Sequence, residues 1–233
     1  MLEARGLVVD YPSGRRALDD VGVIVHPGES VAVVGPNGSG KSTLLRALAG
    51  VVPIRSGTVH AGGVDVTGLP AHRRAGLGVV YAPERARVLA EMSVRDNLLA
   101  GAWLRRDRGA LQDDLERILS RLPALRTNLR RPAAHLSASE RQMVVLGRAL
   151  LAAPRILLLD EPLFGLEAPA REDVVDFVGA ARSEGRAILL AEHDRHAVGA
   201  LAGRVYGLRS GRVVFAGSAA ALDTAAAFTE IYD

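Results

Sequence analysis

The chain has 233 residues, the size of one globular domain, and 48% of them are hydrophobic, which is enough to form a buried core. It has no cysteine, so disulfides and thiolate metal sites are excluded, and Arg148 and Arg155 interrupt the longest apolar stretch before it could span a membrane. The net charge is only +3, the arginine pairs are dispersed and 4% of residues are aromatic, so we expect no nucleic-acid partner.

The first ninety residues predict short strands and one helix. Continuous apolar residues at 30–34 are typical of a strand buried on both faces, and helical periodicity begins at Lys41 and fades at 50–53. The predicted strands of this part lie at 6–9, 21–26, 30–34, in short pieces within 57–66, and at 78–81.

The middle of the chain predicts helices, and the last third returns to strand–helix alternation. Ser93 can cap a helix through Ala100 with Asp96 at the capping-box position, and a second helical pattern starts at Leu111 and stops at Pro123. The remaining predicted elements are a strand at 156–159, a helix at 171–183, a strand at 187–191 and a hairpin within 205–216. This alternation predicts an α/β core with parallel strands.

The stretch GPNGSGKST at 35–43 follows the buried strand and opens the first helix, which is the context that a phosphate-binding P-loop requires. Its glycines allow a tight turn whose amides point at phosphate oxygens, and the helix N-terminus adds partial positive charge. Lys41 is the only lysine of the chain, which favours a specific role for a compact ammonium over a chance glycine-rich turn. The predicted nucleotide-binding residues are Gly35, Pro36, Asn37, Gly38, Ser39, Gly40, Lys41, Ser42 and Thr43.

An acidic pair and a histidine follow two later strands. Asp160 and Glu161 end the apolar run at 156–159, where Asp160 can hold Mg²⁺ with Ser42 and Glu161 can polarise the attacking water. His193 follows the strand at 187–191 and is a candidate sensor of the γ-phosphate, although a packing role would explain a lone histidine equally well. The sequence therefore predicts an ATPase that uses ATP and Mg²⁺.

In this order and spacing, GPNGSGKST, LSASE at 136–140, Asp160, Glu161 and His193 make the chain similar to the ATP-binding subunits of ABC transporters over essentially its whole length. The resemblance implies an α/β fold with a P-loop NTPase core of the ABC-ATPase type, an N-terminal antiparallel β subdomain and a helical subdomain. Residues 1–92 and 153–233 would form the core with the β subdomain, and 93–152 the helical subdomain that carries the signature.

Within the family, VVYAPERARVLAEMSVRDNLLAG at 79–101 resembles the branched-chain amino acid uptake group, which typically has PEGRR at this place. The compact C-terminus is similar to the smaller of that group's two ATPase subunits, and importers of urea or short amides share the pattern. Arg85 and Ala86 replace the group's Gly-Arg, a departure that concerns coupling to membrane subunits rather than ATP binding.

The resemblance assigns further roles. Tyr11 would stack on adenine, although it could also be a strand-end aromatic, and Glu84 would lie near Mg²⁺ and the membrane-subunit interface, although an isolated surface glutamate is equally ordinary. The loop of Phe164 with Gly165, Leu166 and Glu167 resembles the dimer-crossing loop that often reads S-G-L-D; it keeps the acid and loses the hydroxyl.

The family signature is L-S-G-G-[QE], and it contacts the ATP held by the partner in a head-to-tail dimer. Here Ser137 and Glu140 remain, while Ala138 and Ser139 stand at the glycine positions. Their Cβ atoms limit how closely backbone approaches a phosphate, so we expect a weakened site rather than none, unless LSASE is only a helix cap. Such asymmetry suits a heterodimer of two ATPase subunits.

The resemblance also implies the setting in which the chain works. Its partners would be a second ATPase subunit, transmembrane permease subunits and, indirectly, a solute-binding protein, with the chain peripheral on the cytoplasmic face of the membrane. Other readings are a soluble ABC ATPase of translation or DNA repair, which usually has two cassettes or long coiled-coil insertions, and a regulatory nucleotide-binding module. A P-loop small-molecule kinase would have no use for LSASE.

Overall fold

The computed structural model describes residues 1–84, 87–105, 107 and 109–232. Arg85 and Ala86, singled out above as departures from the branched-chain pattern, lie outside these residues. In the described part of the chain, no helix combines the length and the apolar composition needed to cross a bilayer.

Two sheets organise the fold. The first is antiparallel, in the order β2-β1-β4-β5, and the second has six strands in the order β10-β9-β3-β8-β7-β6, parallel except for β10. The strands are β1 Leu2–Asp10, β2 Arg16–Val25, β3 Ser30–Val34, β4 Ser56–Ala61, β5 Val64–Asp65, β6 Val79–Ala82, β7 Ile156–Asp160, β8 Ala187–Ala191, β9 Arg204–Arg209 and β10 Arg212–Ser218.

Helices cover the parallel sheet, and short 3₁₀ turns at Ala133–His135 and Ala219–Asp223 complete the chain. The helices are α1 Lys41–Leu48, α2 Ala71–Gly76, α3 Val94–Ala100, α4 Leu111–Arg121, α5 Pro123–Arg126, α6 Ala138–Leu151, α7 Ala168–Ser183, α8 Arg195–Leu201 and α9 Ala225–Tyr232. The observed α/β fold, with an antiparallel β sheet at the N-terminus and helices α3 to α6 between two strands of the parallel sheet, confirms the predicted fold class. The exact subdomain boundaries stay a prediction.

The core lies on both faces of the parallel sheet. Every residue of β3, β7 and β8 is buried, as the continuous apolar runs predict for central parallel strands. One apolar cluster joins this sheet to α1 and the antiparallel sheet, and the other joins it to α3 through α8. The sheet is therefore a rigid platform whose carboxyl edge positions the candidate site.

Three sequence-predicted boundaries were wrong. The strand expected at 6–9 is β1, which begins at Leu2, because Gly6 adopts a left-handed φ of 60° at a register shift that interrupts the alternating pattern. The helix expected at 171–183 begins at Ala168, because a proline fits its first turn. The strand expected at 21–26 is β2, which begins at Arg16 and ends at Val25. Pro123 ends the α4 pattern as predicted, and it also opens α5.

Candidate functional site

The predicted P-loop forms at the end of β3 and leads into α1. Gly35, Gly38 and Gly40 have φ values of 148°, 78° and 113°, in the region that L side chains rarely adopt. A Cβ at Gly35 would lie 2.1 Å from the carbonyl oxygen of Leu208, so the close approach of β9 requires glycine there. The loop thus has the tight backbone that the sequence predicts, with Lys41 as the first residue of the helix.

The Lys41 side chain is folded into this loop. Its Nζ donates to the carbonyl oxygens of Gly35 at 2.8 Å and Pro36 at 3.2 Å, and only 5% of the residue is exposed. Burial lowers the pKa of Lys41 from its ordinary value, and the nearby carboxylates, Glu161 first, oppose that shift. The ammonium is held where a phosphate group bound in the loop would meet it.

Ser39 has a buried hydroxyl in the same loop. The residue is 3% exposed, and its Oγ has no hydrogen-bond partner among the described residues. An unsatisfied buried hydroxyl costs stability, so its presence in the P-loop fits a site that is completed by an oxygen-rich ligand.

The cavity in front of the P-loop has a volume of about 620 Å³, which is sufficient for a nucleotide. It is lined by ten predicted site residues and by three others, Arg15, Ala17 and Phe164. The ten are Tyr11, Asn37, Gly38, Gly40, Lys41, Ser42, Thr43, Glu84, Glu161 and His193.

Asp160 does not line the cavity itself but contacts Ser42, which does, and each oxygen of its carboxylate accepts one hydrogen bond. Ser42 Oγ donates to Oδ1 at 2.9 Å, and the Tyr81 hydroxyl donates to Oδ2 at 2.8 Å, while Asp160 itself is 1% exposed. A hydroxyl and a carboxylate oxygen therefore meet at the start of α1, and these are hard ligands of the kind Mg²⁺ prefers. The residues fit a magnesium ion, even though the described residues contain no cluster of three or more acidic, histidine or cysteine side chains.

Glu161 and His193 both line the cavity and lie next to each other. His193 Nδ1 lies 3.4 Å from Glu161 Oε1, and the side chains are 51% and 13% exposed. Glu161 has a φ of 47° although it is not glycine, a strained conformation of the kind that occurs at functional sites. Its amide donates to the carbonyl oxygen of Ala191, which fixes the turn after β7 against the end of β8.

A buried glutamate that the sequence analysis missed lies behind this pair. Glu192 is 2% exposed, and burial raises its pKa to about 7. Its Oε2 accepts from the His193 amide at 3.1 Å and lies 3.8 Å from His193 Nδ1. Its only signal in the sequence is its position between an apolar strand and the predicted histidine.

Tyr11 follows β1 directly, and its hydroxyl lies 3.1 Å from Thr43 Oγ1. Next to it, Arg15 Nη2 donates to the carbonyl oxygen of Gly38 at 2.9 Å. The structure therefore places the predicted adenine-stacking residue at the nucleotide cavity, beside an arginine that sequence reasoning passed over as one of several dispersed pairs. Stacking of Tyr11 on a base stays a prediction.

The predicted signature lies apart from this cavity. Ser137 caps α6 with a complete capping box: its Oγ accepts from the Glu140 amide at 3.2 Å, and Glu140 Oε2 accepts from the Ser137 amide at 2.8 Å. Ala138 and Ser139 are helical with negative φ, so the backbone of this turn does not itself require glycine. None of the four residues lines the P-loop cavity. In the predicted interface loop, Phe164 lines the cavity, whereas Gly165, Leu166 and Glu167 do not.

Comparisons with known proteins agree with this geometry. A family model described as "ABC transporter" matches residues 18–164. The chain is 35% identical over 217 residues to the high-affinity branched-chain amino acid transport ATP-binding protein BraG of Pseudomonas aeruginosa, covering 93% of each. It is 33% identical to the lipopolysaccharide export system ATP-binding protein LptB of Escherichia coli, covering 93% of this chain and 90% of the relative.

A solved structure described as the ADP conformation of MJ1267, an ATP-binding cassette of an ABC transporter, is similar in fold. Its TM-score is 0.81 at 27% identity, with 94% of this chain and 91% of that chain covered. The likeness extends through both sheets and the helices between them, since almost the whole chain is included.

Proposed function

Because the chain belongs to the ABC transporter family, as an ATP-binding subunit that hydrolyses ATP, we propose that it powers the uptake of branched-chain amino acids or related small solutes such as urea and amides. The observation that carries the proposal is the single cavity shared by the P-loop, Glu161 and His193. The similarity to BraG and the Pro83–Glu84 pattern support the solute class and the direction. LptB belongs to an export system and is nearly as similar to this chain as BraG is. The proposal of uptake rather than export therefore depends on the Pro83–Glu84 pattern.

The geometry supports a different role in ATP hydrolysis for each of the residues that line the cavity. The amides of the P-loop and Lys41 would hold the β- and γ-phosphates, and Glu161 would orient and polarise the water whose oxygen attacks the γ-phosphorus. His193, within 3.4 Å of Glu161, would contact the same γ-phosphate. The bond from the γ-phosphorus to the bridging oxygen would break, so that ADP leaves with that oxygen. The γ-phosphoryl group would leave with the oxygen of the water as inorganic phosphate, and the proton of the water would be released to solvent.

The residues that would hold Mg²⁺ are Ser42, Asp160 and Glu84, of which Ser42 and Asp160 are already in contact. When bound, the ion would neutralise charge on the β- and γ-phosphates. Glu84 lines the same cavity and would supply a further carboxylate.

We further propose that the working unit is a head-to-tail dimer attached to separate permease subunits at the cytoplasmic face of the membrane, with a solute-binding protein upstream. The cavity is lined on its P-loop side by this chain and has no signature residue from the same chain in its lining. A second subunit would supply that signature, and ATP-driven closure of the dimer would be transmitted to the permeases. The altered LSASE would make the site served by this chain's signature the weaker one, which fits a heterodimer.

The test is the ATPase rate of the purified chain against its concentration, with a parallel titration of nucleotide binding. We expect ATP binding in the wild type and in Glu161→Gln, with hydrolysis rising faster than linearly in the wild type and falling by about 10²-fold or more in the variant. Glu172→Gln, an exposed glutamate on α7, is the control that keeps its rate. Absence of ATP binding would overturn the proposal, while binding without turnover would mean that a different partner signature is required.

The solute is tested separately in cells that lack this gene. Uptake of labelled leucine or urea should be restored by the wild-type chain and not by Glu161→Gln. If the wild-type chain restores uptake of neither leucine nor urea but has normal ATPase activity in vitro, the proposed solute is wrong and the ATPase assignment is unaffected.

A further inference from the structure

The side chain of Tyr81 makes a contact that the ATPase chemistry above does not use. Tyr81 is on β6, the edge strand of the parallel sheet, where it pairs with Leu158 of β7, two residues before Asp160. The carboxyl ends of adjacent parallel strands lie side by side, so the phenol reaches the end of β7. Its hydroxyl donates to Asp160 Oδ2 at 2.8 Å.

The other Asp160 oxygen is held from the opposite direction. Ser42 Oγ donates to Oδ1 at 2.9 Å, so each carboxylate oxygen has one hydroxyl donor and the carboxyl plane is fixed by two contacts. Oδ1, the oxygen that faces Ser42, is thereby presented toward the P-loop, while the phenol occupies Oδ2.

The phenol is itself anchored. Arg46 Nε donates to the Tyr81 hydroxyl at 3.4 Å, a long contact, from one helical turn beyond Ser42 on α1. A tyrosine is neutral at physiological pH, so the phenol is a hydrogen-bond donor to the Asp160 carboxylate. Residues 42 and 46 of one helix therefore hold both ends of a short chain of hydrogen bonds through Asp160.

We propose that Tyr81 is a positioning residue for magnesium binding: it fixes the Asp160 carboxylate in the orientation that, with Ser42, receives the ion. Hydrogen-bonded partners of metal ligands commonly change metal affinity by about 10- to 100-fold when removed. The inference rests on the proposed magnesium role of Ser42 and Asp160. It adds a residue on β6 that acts only through Asp160.

The test is the Mg²⁺ concentration that gives half-maximal binding of ATP to the purified chain, measured by equilibrium titration, with the ATPase rate recorded alongside. Tyr81→Phe removes only the hydroxyl. We expect it to raise the half-saturating Mg²⁺ concentration about tenfold while ATP binding without Mg²⁺ is unchanged and the ATPase rate recovers at high Mg²⁺.

Tyr206→Phe is the matched control. It also removes a phenol that hydrogen-bonds inside the fold, to the Ile24 amide and Arg204, away from the P-loop cavity. It should leave the half-saturating Mg²⁺ concentration at the wild-type value. A tenfold rise in both variants would mean a general loss of packing and would overturn the assignment.

Two further outcomes separate the inference from the proposal beneath it. A wild-type chain whose ATP binding does not respond to Mg²⁺ removes the magnesium site itself. If ATP binding to the wild type responds to Mg²⁺ and Tyr81→Phe has the same half-saturating Mg²⁺ concentration, only the role of Tyr81 is overturned. If Tyr81→Phe does not fold, Arg46→Met must raise the half-saturating Mg²⁺ concentration by a smaller factor, and an unchanged value there overturns the inference.

Discussion

At the scale of single residues, the candidate site combines one buried cation with several carboxylates of unequal environment. Lys41 is buried in the P-loop, and the Asp160 carboxylate accepts hydrogen bonds from two hydroxyls. Glu192 is also buried, and one of its carboxylate oxygens accepts a hydrogen bond from the His193 amide. A carboxylate with few donors in a buried position favours its protonated form, which is why the pKa of Glu192 lies at about 7. The site therefore contains a group that changes charge near neutral pH next to the predicted γ-phosphate sensor.

This gives a stability prediction with a defined sign. The folded-state pKa of Glu192 is raised from 4.5 to about 7, so the folded protein holds a proton that the unfolded chain releases between these values. The free energy of unfolding should therefore fall as pH rises from about 5 to 7.5, by on the order of 3 kcal/mol at most from this group. Urea denaturation of the nucleotide-free chain at several pH values measures it.

Glu192→Gln should flatten that slope, because the amide cannot ionise. Glu91→Gln, an exposed glutamate, is the control that keeps the wild-type slope. An identical decline in Glu192→Gln and wild type would show that other groups cause the pH dependence and that Glu192 is already charged or absent from the linkage.

At the scale of elements, the sequence predicts best where one physical signal dominates. The apolar runs of β3, β7 and β8 are continuous because both faces are buried, and their predicted bounds match the structure within one residue. The predicted length of β1 was too short, because a register shift at Gly6 interrupts the alternation of apolar and polar residues in the middle of the strand. Contacts such as Tyr81 with Asp160 were not predictable, because they depend on strand order and register, which no local pattern contains.

Helix α6 gives a prediction about the two missing signature glycines. Ala138 and Ser139 occupy its first turn in helical conformation, so glycine there would remove Cβ atoms at a cost in helix stability. The double variant Ala138→Gly with Ser139→Gly should lower the free energy of unfolding by about 1–2 kcal/mol and still raise the ATPase rate several-fold at high protein concentration. Chemical denaturation and steady-state kinetics measure the two effects.

Ala71→Gly, at the first helical residue of α2, is the control for glycine in a helix start. It should lower stability to a similar extent per glycine and leave the rate unchanged. A double variant that is less stable and no faster would show that the Cβ atoms do not limit the signature, and the proposed weakness of LSASE would be abandoned.

At the scale of the whole molecule, one parallel sheet places the catalytic groups and a separate helix carries the signature. β3, β7 and β8 end at the nucleotide cavity, and the start of α6 lies outside its lining. In a head-to-tail arrangement each ATP would then use the P-loop and Glu161 of one subunit and Ser137 of the other. In such a dimer, a variant defective on the P-loop side and a variant defective in the signature can together form one site that is intact on both sides.

Mixing two inactive variants tests this arrangement directly. Glu161→Gln keeps the signature and loses catalysis, whereas Ser137→Arg keeps the P-loop and Glu161 but places a bulky side chain at the signature, with a cap loss of about 1 kcal/mol. Each alone should be nearly inactive. An equimolar mixture should recover about a quarter of the wild-type self-dimer rate, because half of the dimers are mixed and each mixed dimer has one intact site.

A mixture of Glu161→Gln with Lys41→Ala is the control, and it should recover no activity because both variants are defective on the P-loop side. Equal recovery in both mixtures, or none in either despite an active wild type, would mean that the nucleotide site is not shared head to tail.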